Sequence, residues 1–214
     1  MQDHIARIGY DIILEVIPEG SRVLDLGCGD GVLLQELRQE RKVDGYGVEI
    51  SAEGVSQCLE KGLYCYQGDI DDGLSDYRDN SFDYVILNQT LQNTKKPAYV
   101  LEEIMRIGKN AIISFPNFGH IQVRWELLIT GQMPKNQLLP YDWYESPNIH
   151  LLSIRDFQAY CRFHHYPIKE ESHFALRSDG LSRIIRHWPN LRAQFGLFLL
   201  DAENFESKLS NALH

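Results

Sequence analysis

The sequence predicts an α/β fold with a mostly parallel, doubly wound sheet, and two observations support this prediction. Short apolar segments alternate with amphipathic segments along residues 22–115, as they do when strands and helices alternate. The first apolar segment, residues 23–26, runs directly into glycines at alternate positions, Gly27, Gly29 and Gly31. Because glycine lacks a Cβ and adopts positive φ without penalty, this loop predicts a strand, a tight turn and a helix start around a ligand.

The strands and helices are predicted in order from the spacing of the apolar residues. A leading helix over residues 3–16 has isoleucines at helical spacing and precedes the first strand. Strands are expected at residues 22–26, 45–50, 63–68, 82–88, 110–115, 167–174 and 195–200. Helices are expected at residues 32–40, 52–61, 97–107, 121–130, 154–164 and 181–187. Ser51 is a predicted N-cap, and Ser153 with Asp156 matches a capping box.

A loop-rich insertion interrupts this alternation at about residues 116–152. Only residues 121–130 within it have a helical pattern. Loops of this length are usually functional, and this one begins at the end of a strand, where open α/β sheets bind their ligands. The 214 residues are expected to form one domain, residues 1–214, that includes the insertion.

The composition argues against several classes of partner. The 21 basic and 30 acidic residues give a net charge of −9, and no cluster of basic residues is large enough for nucleic acid. No apolar stretch reaches the roughly 18 residues of a membrane span, and we expect no secretory leader. The four cysteines include no Cys-x-x-Cys pair and are expected to be reduced. We therefore expect a cytoplasmic protein with no nucleic-acid or membrane partner.

The charge around the glycine loop predicts its ligand. A dinucleotide-binding loop reads Gly-x-Gly-x-x-Gly and rests a pyrophosphate on a helix N-terminus, whereas this loop reads Gly-x-Gly-x-Gly. Asp25 and Asp30 flank the loop and would repel phosphate, but they suit the ammonium and sulfonium groups of S-adenosylmethionine (SAM). Glu49 lies 18 residues after Gly31, an offset at which an acidic residue can accept both ribose hydroxyls.

These residues resemble the class I SAM-dependent methyltransferase fold. Its glycine motif matches Asp-Leu-Gly-Cys-Gly-Asp-Gly at residues 25–31, its ribose acid matches Glu49, and its adenine-edge acid matches Asp69. The resemblance implies a Rossmann-like domain with seven strands, the last one antiparallel, and helices on both faces. It also implies SAM or S-adenosylhomocysteine as the cofactor. The residues that it assigns to the cofactor are Asp25, Gly27, Cys28, Gly29, Gly31, Glu49, Ile50, Gly68, Asp69, Ile70 and Asn88.

Two further motifs resemble the MetW family of methionine-biosynthesis proteins. They are Ser-Phe-Pro-Asn-Phe-Gly-His at residues 114–120 and Trp-Tyr-x-x-Pro-Asn-Ile-His at residues 143–150. The resemblance extends over about residues 22–163. It implies a methyltransferase-like protein that acts with homoserine O-acyltransferase in methionine biosynthesis, and it implies no particular methyl acceptor.

Two functions remain open at this point. In the first, the protein binds SAM and is required for, or regulates, its acyltransferase partner. In the second, it is a SAM-dependent methyltransferase acting on a small-molecule acceptor, with His120 or His150 as general base. The insertion would then supply aromatic and polar residues to the acceptor pocket, namely Asn117, Arg124, Trp143 and Tyr144.

Other features argue against alternative chemistries. Asp69, Asp71 and Asp72 are neighbouring acids on a predicted loop, which are usually solvated, so no metal site is expected. Cys28 is expected to be a small packed side chain rather than a nucleophile, because no histidine is near it in sequence. A nucleic-acid base methyltransferase is disfavoured, since residues 88–91 read Asn-Gln-Thr-Leu where such enzymes often have Asn-Pro-Pro-Tyr.

Overall fold

A computed structural model of the protein describes residues 8–136, 139–177 and 182–205. Within these ranges, eight strands form one sheet in the order β3-β2-β1-β4-β5-β8-β6-β7. The strands are β1 (Arg22–Leu26), β2 (Asp44–Glu49), β3 (Tyr64–Gln67), β4 (Phe82–Asn88), β5 (Gly108–Pro116), β6 (Ile168–Leu176), β7 (Ser182–Ile184) and β8 (Phe195–Asp201). The helices are α1 (Tyr10–Val16), α2 (Val32–Arg41), α3 (Ala52–Glu60), α4 (Pro97–Ile107), α5 (Ile121–Thr130), α6 (Ile154–Phe163) and α7 (Pro189–Arg192).

The sheet is parallel from β1 to β5, as predicted. β1 pairs with β2 and β4, β2 pairs with β3, and β4 pairs with β5, all in parallel. β8 lies antiparallel between β5 and β6, with Ile112 opposite Leu199. The predicted α/β class and the antiparallel last strand are therefore confirmed.

Two predictions at the C-terminal edge of the sheet are wrong. The expected helix at residues 181–187 is instead the strand β7, which pairs antiparallel with β6 and places Ile184 opposite Phe174. This strand raises the number of strands from the expected seven to eight. Leu181, where that helix was expected to begin, lies outside the described residues. Pairing with β6, as the edge strand of the sheet, satisfies the backbone of this short segment better than an isolated helical turn does.

The core has two apolar layers, one on each face of the sheet. Along β4, Val85 and Leu87 belong to one layer and Ile86 to the other, as the alternation of side chains along a strand requires. Helix α4 covers the first layer with residues such as Ile104, and helices α1 and α2 cover the second. Strands buried on both faces explain the continuous apolar runs of the sequence.

The helix starts follow the predicted caps. The Ser51 hydroxyl accepts a hydrogen bond from the Gly54 backbone N–H at 3.2 Å, and Ser153 with Asp156 forms a complete capping box. The leading helix begins at Tyr10, after a turn, and the part predicted from residue 3 lies outside the described residues. No described helix has the length and apolarity needed to cross a membrane.

Candidate functional site

A cavity of about 830 Å³ lies beyond the carboxyl ends of β1, β2 and β4. Ten of the residues assigned to the cofactor by sequence line it together: Asp25, Gly27, Cys28, Gly29, Glu49, Ile50, Gly68, Asp69, Ile70 and Asn88. Asp30, which the charge argument also assigned to SAM, lines the cavity as well. The other lining residues were not predicted to contact the cofactor, namely Tyr10, Leu33, Val48, Asp71, Gln89, Thr90, Asn93, Thr94 and Lys95. Among these, Gln89 and Thr90 follow directly after the predicted strand at residues 82–88. Their position at the end of a strand was the signal in the sequence that could have identified them as cavity residues.

The glycine loop is shaped by positive backbone angles. Gly27 has φ of +75° and Gly31 has φ of +77°, and a Cβ on Gly27 would lie 2.7 Å from the Thr90 side chain. The backbone N–H groups of Gly27 and Cys28 donate to the Val48 carbonyl at 2.8 and 3.1 Å, which ties the loop to the end of β2. Gly31 does not line the cavity, and a Cβ there would lie 2.7 Å from a buried thiol. Gly31 therefore permits the close packing of the helix start.

Glu49 ends β2 with its carboxylate against the glycine loop. Its Oε2 accepts from the Gly29 backbone N–H at 2.9 Å, and its Oε1 accepts from the Ser51 backbone N–H at 2.8 Å. Each carboxylate oxygen can accept two hydrogen bonds, so both retain a lone pair for a ligand. The pair of oxygens is thus fixed in position at the cavity wall and is suited to two adjacent hydroxyls.

Asp25 is buried at the end of β1. Burial, followed by the neighbouring Glu49 carboxylate, raises the pKa of Asp25 to about 7. A cationic group in the cavity would favour the ionised form and lower this pKa again. The site therefore has a carboxyl group whose charge responds to a positively charged ligand.

The acids after β3 are held by hydrogen bonds and ion pairs. Asp69 accepts from the Asp71 backbone N–H at 2.9 Å, and its Oδ2 lies 3.7 Å from the Lys95 Nζ. Asp71 is buried rather than solvated as expected, because its carboxylate accepts from the backbone N–H groups of Lys95 and Lys96 at 2.9 and 2.7 Å. Asp71 thus fixes the start of the segment that enters α4, and Asp69 remains at the cavity wall.

The end of β4 forms a hydrogen-bonded turn at the cavity. The Ser114 hydroxyl donates to the Asn88 side-chain carbonyl, and Gln89 donates to the Ser114 oxygen from its backbone at 3.2 Å and its side chain at 3.0 Å. Gln89 has φ of +54°, in the left-handed region. A short 3₁₀ helix, Leu91–Asn93, follows immediately. Amide and hydroxyl groups therefore line the wall next to β4.

Two residues of the motif at 114–120 are used for internal hydrogen bonds. Asn117 is fully buried, and its amide donates to the Ala193 carbonyl at 2.8 Å while its oxygen accepts from Gly119 at 3.0 Å. The His120 Nδ1 accepts from the Gln122 backbone N–H as the N-cap of α5, and its ring also makes a hydrogen bond to the backbone of Arg192. Burial lowers the pKa of His120. Neither Asn117 nor His120 lines the cavity.

The other residues assigned to an acceptor pocket also lie away from the cavity. Arg124 donates from Nε to the Gly119 carbonyl at 2.6 Å, and Trp143 and Tyr144 are exposed to solvent. The His150 Nε2 is buried without a hydrogen-bond partner, but His150 does not line the cavity either. The structure therefore brings all of the predicted cofactor residues except Gly31 to one cavity, and none of the predicted acceptor residues lines it.

Three cysteines, one of them in the glycine loop, lie close together. The Cys28 Sγ is 3.8 Å from the Cys58 Sγ and 3.6 Å from the Cys65 Sγ, a spacing that a shared metal ion could also produce. Burial raises the pKa of Cys58 to about 12 and raises the pKa of Cys28 further, to which Asp25 also contributes. Metal binding and nucleophilic attack both require a thiolate, so these pKa shifts favour neutral packed thiols.

A comparison with protein families shows to which family the chain belongs. The family model described as "Methionine biosynthesis protein MetW" matches residues 7–200. The chain belongs to the MetW family. A curated MetW relative is the bifunctional methionine biosynthesis protein MetXA/MetW of Rhodopirellula baltica, which is 34% identical over 211 residues. The match covers 94% of this chain but 34% of that protein, so the chain spans about a third of the relative's length.

Solved structures similar to this MetW-family chain include SAM-dependent methyltransferases. A chain in the complex between the Haloferax volcanii Trm112 methyltransferase activator and a putative methyltransferase matches with a TM-score of 0.65 and 19% identity, covering 94% of this chain and 92% of that one. A SAM-dependent methyltransferase of Thermotoga maritima, a possible histamine N-methyltransferase, matches with a TM-score of 0.65 and 17% identity, covering 92% and 91%. At these identities the similarity shows the fold alone.

Proposed function

We propose that this protein binds SAM in the cavity and acts with homoserine O-acyltransferase in methionine biosynthesis, so that SAM occupancy controls the acyltransferase step. The observation that supports it best is the separation of the two sets of residues. Those assigned to SAM, except Gly31, line one cavity, whereas the histidines considered as general bases, His120 and His150, do not line it. A cavity that holds the cofactor without a histidine base fits a SAM sensor.

The cavity residues have distinct roles in this proposal. The Glu49 carboxylate accepts the two ribose hydroxyls, and Asp69 accepts from the adenine edge. Asp25 lies at the end of β1 and its negative charge favours the ammonium and sulfonium groups of SAM. The glycine loop lets the backbone approach the cofactor closely, since no Cβ intervenes at Gly27 or Gly29.

The acyltransferase partner is supported by the relative from Rhodopirellula baltica. Its name assigns a MetXA part and a MetW part to one bifunctional methionine biosynthesis protein. Two functions joined in one chain suggest that the corresponding separate proteins act together. Because SAM is made from methionine, a SAM-binding subunit would report the end product to an early step, and the coupling would be reciprocal.

An acyltransferase assay tests this function. The rate of purified homoserine O-acyltransferase is measured alone, with this protein, and with this protein plus SAM. We expect the protein to change the rate and SAM to modulate that change. The variant Glu49→Ala, tested at SAM concentrations that saturate the wild type but not the variant, should lose the modulation. If the protein neither changes the rate nor co-elutes with the acyltransferase, the proposed function fails.

A SAM-dependent methyltransferase acting on a small molecule is the second candidate, because the chain has the fold of class I methyltransferases. In-line positioning of donor and acceptor supplies much of the rate of methyl transfer, so a cavity without a histidine base does not preclude it. Of the two predicted bases, His150 has an unpartnered ring nitrogen. Incubation of excess protein with metabolite extract and methyl-labelled SAM tests this candidate, and incorporation of label above a Glu49→Ala control would support it.

A further inference from the structure

The second family motif lies in an exposed strap, which we define as residues 139–152. No helix or strand is present in this segment of the described chain. Its ends are anchored, because Leu139 is buried in the core and the Leu152 carbonyl accepts from the Phe118 backbone N–H at 3.1 Å. Between these anchors, Trp143 is 77% exposed and Tyr144 is 67% exposed. The strap thus holds large apolar side chains in solvent on a fixed backbone.

The exposed side chains have the character of an interface. The rings of Trp143 and Tyr144 pack edge to face, with centroids 5.6 Å apart and an interplanar angle of 89°. Ile149 and Leu151 add further exposed apolar surface on the same strap. Tryptophan and tyrosine are enriched among the residues that dominate binding energy at protein interfaces, and ring pairs of this geometry are favourable. Such a surface is expected to be covered by a partner.

The charge of the strap narrows the class of partner. Residues 139–152 contain Asp142 and Glu145 and no lysine or arginine, and Asp142 is paired with Lys135 just outside the strap. The strap therefore offers no basic side chain of its own to an anionic lipid surface or nucleic acid. A second copy of this chain would also bring an acidic surface, since the net charge is −9. The strap therefore fits a protein that offers apolar pockets with basic side chains at their rim.

The strap is also joined to the wall of the cavity. The backbone N–H groups of Ile149 and His150 both donate to the Gln92 carbonyl, at 2.8 and 3.0 Å. Gln92 is buried in the 3₁₀ helix, and its side chain donates to the Gln89 carbonyl at 2.6 Å. Gln89 and Asn93, on either side of this contact, both line the cavity. A ligand that moves this turn would move the strap with it.

We propose that the strap is the surface through which this protein docks on homoserine O-acyltransferase, and that the Gln92 turn makes docking sensitive to SAM. This inference rests on the proposed function, which names the partner. It assigns a role to Trp143 and Tyr144, the exposed aromatic residues of the second motif, which do not line the cavity.

Binding of the full-length protein to purified acyltransferase, measured by biolayer interferometry, tests this proposal. The double variant Trp143→Ala/Tyr144→Ala should weaken binding at least about tenfold, because two anchor residues are removed. Trp188→Ala is the matched control, since Trp188 is 76% exposed but lies outside the strap, and it should change binding less than about twofold. SAM affinity should be unchanged in both variants, which shows that the cavity is intact.

The outcomes separate the two proposals. If wild-type protein does not bind the acyltransferase, the proposed function and the docking surface both fail. If the wild type binds and the double variant binds equally well, only the docking surface is refuted. Two other results would also overturn the docking surface. If analytical ultracentrifugation shows a wild-type homodimer that the double variant loses, the strap binds a second copy of this chain. If the wild type binds phosphatidylcholine vesicles and the double variant does not, the strap binds a lipid surface. Saturating SAM should change the wild-type dissociation constant at least about fivefold, and a change under twofold would refute the link through Gln92.

Discussion

Replacing Glu49 by alanine is expected to weaken SAM binding by about 2 kcal/mol, or roughly 30-fold in the dissociation constant. A hydrogen bond to a charged group contributes about 1.5–3 kcal/mol, and the carboxylate has an oxygen for each ribose hydroxyl. The expected loss is smaller than the sum of two such bonds because both oxygens already accept backbone N–H groups, from Gly29 at 2.9 Å and Ser51 at 2.8 Å. In the variant, water at the cavity can satisfy these donors.

Isothermal titration calorimetry with SAM measures this effect directly. The variant Glu49→Gln keeps one acceptor but loses the charge, so its affinity should lie between those of the wild type and the alanine variant. Glu53→Ala is the control, because Glu53 is an exposed acid in the first turn of α3 and does not line the cavity. A dissociation constant for Glu49→Ala within twofold of the wild type would mean that Glu49 does not bind the ribose.

Three further predictions follow from the same geometry. Asp25 has a pKa raised to about 7, and cationic SAM favours its ionised form. SAM affinity should therefore fall up to about tenfold per pH unit below pH 7. The variant Asp25→Asn should flatten this pH dependence when SAM binding is measured by calorimetry. Gly31→Ala should lower the free energy of unfolding, measured in urea, by about 3 kcal/mol, because positive φ and overpacking both oppose a Cβ there. Gly20 has the same φ of +77° but open space around it, so Gly20→Ala should lower the free energy of unfolding by about 1 kcal/mol. Asn117→Ala should cost about 3 kcal/mol in the same assay, since it leaves buried backbone groups unpaired, while the exposed Gln122→Ala should change stability by under about 0.5 kcal/mol.

The cavity could be predicted from the sequence because its residues follow the ends of parallel strands. The carboxyl ends of neighbouring strands meet at one edge of the sheet, so Asp25, Glu49 and Asn88 converge once the strands are recognised. Tyr10 also lines the cavity, but no local signal indicates this. Its position depends on how α1 packs against α2, which is a long-range property.

The residues predicted to serve an acceptor do not line the cavity, for a different physical reason. Their distance from a strand end in sequence indicates a region of the fold, but it does not determine where a side chain points. His120 is turned into the protein by its role as the N-cap of α5, and Asn117 by the backbone groups that it must satisfy. Similarly, Ile184 fits both a helical and a strand pattern, and only the pairing with β6 decides between them.

The cavity and the strap are separate parts of the structure, and this predicts that SAM binding and docking can be impaired independently. The residues predicted to bind SAM line a cavity at the ends of β1, β2 and β4, whereas the strap that carries Trp143 and Tyr144 contacts the wall of this cavity through Gln92. If ligand binding and docking used one surface, a single substitution would impair both. In this arrangement, Glu49→Ala should bind SAM more weakly and still dock, while Trp143→Ala/Tyr144→Ala should bind SAM normally and dock more weakly. Only the response of the acyltransferase to SAM should be lost in both, because it requires the cavity, the turn and the strap together.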